Sequence, residues 1–212
     1  MPLLVYCISE SGAPPPADGV RGRRVERENI AGMQCYYSVF PGPLSKLTKD
    51  DALAFHHVIT AIVSRVAVIP FRVPTMLEGK GELEVFLETE GHDLLESLQR
   101  LREFVQMEVR LTMEDAAAVP AGAGQESHED RQQAREDLLE LAESVRELLE
   151  EDIRGWHTRE FQNGVRCYAL VPRHTVADFR HKCERLKLEG GARAAVSGPW
   201  PPSEFLHESF ES

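Results

Sequence analysis

An α+β protein in two units, each a mixed or antiparallel sheet carrying helices, is the fold class that the sequence predicts. Residues 105–113 alternate without a miss (Val, Gln, Met, Glu, Val, Arg, Leu, Thr, Met), the pattern of a strand with one buried and one wet face. Two segments carry helix-start residues followed by apolar positions three and four apart. A stretch of small residues, 115–125, divides the chain.

Each element follows from local chemistry. Leu3 to Ile8 is a short apolar strand, closed by the turn-rich run Ser11 to Gly19. Residues 25–40 are extended and end in the β-rich run Met33 to Phe40, which Pro41 and Pro43 terminate. Thr48 caps the first helix, with Asp51 in the capping-box position. Phe55, Val58, Ile59, Ile62 and Val66 give that helix its apolar face. Ala67 to Pro70 is a short strand. A second helix covers 82–104, with Leu94, Leu98 and Leu101 on one face, and the alternating strand follows. The order β-β-α-β-α-β suits a sheet with helices on one face, in the ferredoxin-like manner, and gives an N-terminal domain over 1–114.

Residues 115–125 read as a linker, and a C-terminal domain over 126–212 begins with a long acidic helix, 126–153. That helix holds eleven Asp and Glu against three Arg, most of the net charge of −11. Leu138, Leu141, Val145, Leu148 and Ile153 mark its apolar stripe, fit either to pack on its own domain or to pair with another copy. Trp156 to Phe161 and Val165 to Val171 flank Asn163-Gly164, a hairpin signal. Thr175 then caps a helix whose apolar face is Val176, Phe179, Cys183 and Leu186. Ala192 to Ser197 is the closing strand. The C-terminal domain reads as a second, smaller α/β unit, expected to be ferredoxin-like as the first is.

Composition narrows the function. A charge of −11 is unlike a nucleic-acid surface, and no stretch reaches the ~20 apolar residues of a membrane span. The start Met1 to Ile8 lacks the basic and apolar regions of a signal peptide, so a cytoplasmic protein is expected. Cys7, Cys35, Cys167 and Cys183 are widely spaced and read as small core hydrophobes. His56 and His57 are adjacent, about 100° apart on a helix, and do not form a chelating pair. No nucleophile elbow or phosphate-binding glycine loop is present. The expectation is a protein without catalysis, cofactor or metal, working by contact with other proteins.

Two segments stand out. In Val68 to Thr75, Arg72 sits among apolar residues between two prolines, where a guanidinium should be paired. In Ser197 to Phe205, prolines on both sides of Trp200 hold an indole that is either a docking knob or a plug over a sheet. A histidine-bearing helix (His56, His57) followed by Pro70-Phe71-Arg72, and a closing Gly198-Pro199-Trp200-Pro201-Pro202 before Phe205, resemble the GvpL/GvpF family of gas vesicle proteins. The chain departs from that pattern at Val73-Pro74, where the family has Phe-Gly, and at Ser203-Glu204, where it has a tyrosine. The resemblance implies a two-part α/β protein that helps build the gas vesicle as an assembly factor or minor component. Its partners would be the small hydrophobic shell protein and other gas vesicle accessory proteins. It marks Pro70, Phe71, Arg72, Gly198 to Pro202 and Phe205 as candidate interaction or motif residues. A regulatory module holding a small ligand on ferredoxin-like sheets is the alternative.

Overall fold

The computed structural model describes residues 1–44, 46–113, 128–162, 164–186, 188 and 191–206. The chain divides into two compact units, Met1–Glu103 with Pro199–His207, and Phe104–Gly198. The expected linker 115–125 lies outside the described residues.

In the first unit, β1 (Leu3–Ser9), β2 (Glu26–Ile30), β3 (Met33–Val39), β4 (Ile69–Pro70) and β5 (Met76–Leu77) form one sheet. Its order is β2-β3-β1-β4, with β5 also on β1, and every pairing is antiparallel. All seven residues of β1 are buried. Leu4 and Tyr6 pack with Phe55, Val58 and Ile62 of α1 (Lys49–Val63), whereas Leu3, Val5 and Ile8 pack with Leu83, Leu87 and Leu98 of α2 (Lys80–Leu101). The two helices therefore cover opposite faces, not the single face expected. A strand buried on both sides reads as an unbroken apolar run, and β1 is such a run.

The second unit runs β6 (Phe104–Met113), α3 (His128–Leu148), β7 (Gly155–Phe161), β8 (Gly164–Pro172), α4 (Val176–Glu184), β9 (Ala192–Trp200). This βαββαβ order with strands arranged β7-β8-β6-β9 is the ferredoxin-like arrangement. The alternating strand at 105–113 thus opens the second unit and does not close the first. It pairs antiparallel with β8 from Phe104 opposite Pro172 to Leu111 opposite Val165. Met107, Val109 and Leu111 meet Val165, Cys167, Ala169 and Val171 under both helices.

Two details of this unit differ from expectation. The seam of α3 is Leu138, Ala142, Val145 and Leu149, while Leu148 is 68% exposed. A small alanine, easily passed over in an apolar count, sits where helix and sheet pack. Thr175 does not cap α4 with its side chain; its hydroxyl donates to the Pro172 carbonyl at 3.1 Å. Thr48 behaves as expected, accepting from Asp51 N while Thr48 N donates to the Asp51 carboxylate, both at 3.1 Å.

Candidate functional site

The Pro-Phe-Arg motif leaves the edge of the first sheet. Pro70 pairs with Cys7 at the end of β4, and the Phe71 N–H donates to the Tyr6 carbonyl at 2.9 Å. Because β4 is only two residues long, residues 71–75 form a loop, tied back where Val5 N–H donates to the Thr75 carbonyl at 3.1 Å. Arg72 is consequently exposed and not buried, and no ion pair is found for it among the described residues. Phe71 is half-buried against Phe86 of α2, ring centroids 5.6 Å apart.

Close to that pair in the chain, further apolar side chains reach the surface. Val73 is 42% exposed, Val85 62% and Phe86 36%. Sequence reading missed Val85 and Phe86, although a signal existed. The buried stripe of α2 is Leu83, Leu87, Leu98 and Leu101, and Val85 and Phe86 fall off it. Apolar residues off the buried face of an amphipathic helix are surface by geometry.

The closing motif has another setting. Gly198 lies within β9 at φ 119°, a left-handed conformation, with its carbonyl accepting from Arg180 Nη2 at 2.7 Å. A Cβ there would lie 2.8 Å from the Met107 sulfur, so only glycine fits. Trp200 is half-buried with its ring 5.0 Å from that of His56 on α1. Pro201, Pro202 and Phe205 are buried. Ser97 Oγ and Arg100 Nη2 of α2 donate to the Leu206 carbonyl at 3.1 and 2.5 Å. These bonds and burials clamp the tail on the first unit, with the Trp200 ring set on α1 and not over the sheet. Trp200 meets α1 and Phe71 meets α2, so the two motifs do not share ring partners.

Burial pushes the Cys35, Cys167 and Cys183 thiols up to about 12, and raises Cys7 as well. All four are buried and free, so at neutral pH they stay protonated and make poor nucleophiles. His56 is exposed and bonds within its own helix, to Thr60 Oγ1 at 3.3 Å. Among the described residues, His92, Asp93 and Glu96 bring donor atoms together, all exposed on α2, as carboxylates on solvated helices commonly are without a metal. No helix among the described residues is long and apolar enough to cross a membrane.

Comparison with known proteins agrees with this architecture. The family model "Gas vesicle synthesis protein GvpL/GvpF" matches residues 2–129 and 116–207, and the chain belongs to that family. The fold is shared with the crystal structure of GvpF from Anabaena sp. PCC7120, at TM-score 0.78 and 16% identity over 100% of this chain and 98% of that one. It is shared too with GvpF from Microcystis aeruginosa, at TM-score 0.79 and 13% identity over 98% and 99%. No curated protein sequence matches significantly.

Proposed function

We propose that this gas vesicle family member acts without catalysis, in the cytoplasm, by holding the small hydrophobic shell protein during vesicle assembly. The observation that carries this reading is the Phe71–Phe86 ring pair at the Pro-Phe-Arg motif, with Val73, Val85 and Phe86 exposed. Aromatic rings held on a short tied-back loop and a helix offer contact area at low entropic cost, and exposed apolar clusters mark partner surfaces. The contact is therefore assigned to these residues and not to Trp200, whose ring already packs on His56. Arg72, exposed beside Phe71 in the chain, suits a polar or acidic group bordering the apolar segment.

The test is co-purification of the tagged protein with co-expressed shell protein. Wild type should retain the shell protein and Val85→Asp/Phe86→Ser should lose it, with both proteins equally soluble and folded by circular dichroism. Equal retention by the double variant would refute this assignment; no retention by wild type would refute the shell-protein contact itself. The small-ligand alternative needs a concave, largely enclosed pocket. Two of the better-formed depressions, beside Leu148 and Lys182 and beside Phe40 and Leu44, are open clefts.

A further inference from the structure

The face of the second sheet away from its helices buries Gln106, Tyr168 and Leu170 at one end, and at its exposed end carries an arrangement that ordinary folding does not favour. Arg110 on β6 stands opposite Arg166 on β8, and Arg166 stands opposite Arg159 on β7. Val109, Leu111, Val165 and Cys167 point to the helix-covered face, so by alternation these three arginines point to the other. Three guanidinium groups thus lie abreast across neighbouring strands ~4.8 Å apart, where like charges directly opposite destabilise a sheet.

The row is held in place by its surroundings. The Phe161 ring lies 5.5 Å from Arg110 and 5.2 Å from Arg166, and the Tyr168 ring lies 5.9 Å from Arg159. Glu108 lies 3.5 Å from Arg110 and 3.7 Å from Arg166, one carboxylate between two cations. Arg166 Nε is buried and has no hydrogen-bond partner among the described residues. Yet the row stays accessible: the Arg110 and Arg166 side chains are 45% and 40% exposed, and Arg159 is exposed. A local rule broken and then stabilised by aromatic supports is the mark of a surface kept for binding anions.

The complementary surface is on the same unit. Glu136, Glu140, Glu143 and Glu147 of α3 are all exposed and follow one another at four-, three- and four-residue spacing. Such residues are ~5–6 Å apart along a helix face. The buried seam Leu138, Ala142, Val145, Leu149 has the same periodicity on the opposite side of the helix. The carboxylate spacing along α3 therefore matches the guanidinium spacing across the sheet. One copy cannot use both, because α3 packs on the face of the sheet away from the arginines.

We propose that the acidic ridge of α3 in one copy docks on the Arg110–Arg166–Arg159 row of a second copy. Ridge and row point in opposite directions, so the contact is head-to-tail and propagates into chains or rings beyond a dimer. Exposed ion pairs are weak singly and count as a network, and salt screens them. Within each copy, Arg146 already holds one Glu143 oxygen at 2.6 Å, leaving Glu136, Glu140 and Glu147 as the stronger contributors.

Sedimentation velocity of the full chain over a concentration series tests this. Wild type should form concentration-dependent species larger than a dimer, with an apparent Kd rising roughly tenfold or more between about 50 and about 500 mM NaCl. A row variant, Arg110→Glu/Arg159→Glu/Arg166→Glu, and a ridge variant, Glu136→Lys/Glu140→Lys/Glu147→Lys, should each be monomeric alone. Mixed together they should associate again, since each then offers the other a complementary surface, and this rescue excludes unfolding as the cause. A monomeric wild type at low salt, self-association of either variant alone, or no rescue on mixing would overturn the proposal. A wild type that stays monomeric but binds inorganic polyphosphate would overturn it too, and assign the row to a phosphate-bearing partner.

Discussion

At Ala31 the backbone has a φ of 50°, followed by Gly32 at 84°, giving the two-residue turn between β2 and β3. Such a turn matches the twist of a hairpin and needs positive φ at both positions, which alanine resists. Ala31→Asn should therefore raise the unfolding free energy by about 0.5–1 kcal/mol, read from the denaturant midpoint at unchanged m-value. Gly198→Ala should do the reverse, because its Cβ would meet the Met107 sulfur at 2.8 Å in a left-handed conformation. A loss of about 1–3 kcal/mol is expected there. Single residues were also where sequence reading was weakest. Arg72 has apolar neighbours and looks buried in the sequence. Its real exposure follows from β4 ending at Pro70, a matter of sheet geometry that no local pattern records.

Among the elements, α1 was the most legible because every start signal is local. Thr48, Asp51 and the apolar face behave as the spacing implies. The tertiary addition is Arg21, whose Nε and Nη2 donate to the two Asp51 oxygens at 3.2 and 3.0 Å. Arg21 first, and then the Thr48 N–H, hold the Asp51 carboxyl below its ordinary value near 3.8. The unfolded chain then binds this proton more readily than the folded one. Asp51 therefore contributes its stability above about pH 4 and loses it as pH falls through the depressed value. Asp51→Asn should lower Tm at pH 7, and its Tm should fall less steeply than wild type below about pH 4. Parallel Tm curves would contradict the linkage. In contrast, α2 shows what periodicity alone passes over. It marks the stripe that is buried, while Val85 and Phe86, outside that stripe, carry the candidate contact.

For the whole molecule, the α+β class was readable, since the alternation at 105–113 and the helical apolar spacings are short-range signals. Strand ownership was not. Whether Phe104–Met113 ends one unit or opens the next depends on pairing with β8, more than fifty residues away, and chain order cannot reveal it. The opposite-face placement of α1 and α2 was hidden for a related reason. The unbroken apolar run of β1 reports burial on both sides without saying what covers each. The closing motif was legible as a motif, and its role as a clamp emerged only from Ser97, Arg100 and His56, which are distant in sequence.

These scales meet at the half-buried Phe71 and the exposed Val73, Val85 and Phe86 of a gas vesicle family member. The most direct measurement is complementation in vesicle-forming cells that lack this protein, with vesicles counted by electron microscopy. Wild type should restore vesicle numbers, and Val85→Asp/Phe86→Ser, expressed at the same soluble level, should leave them at roughly a tenth or less, since losing a hot spot of ~2 kcal/mol weakens binding more than tenfold. Full restoration by the double variant would contradict an assembly role exerted through this surface.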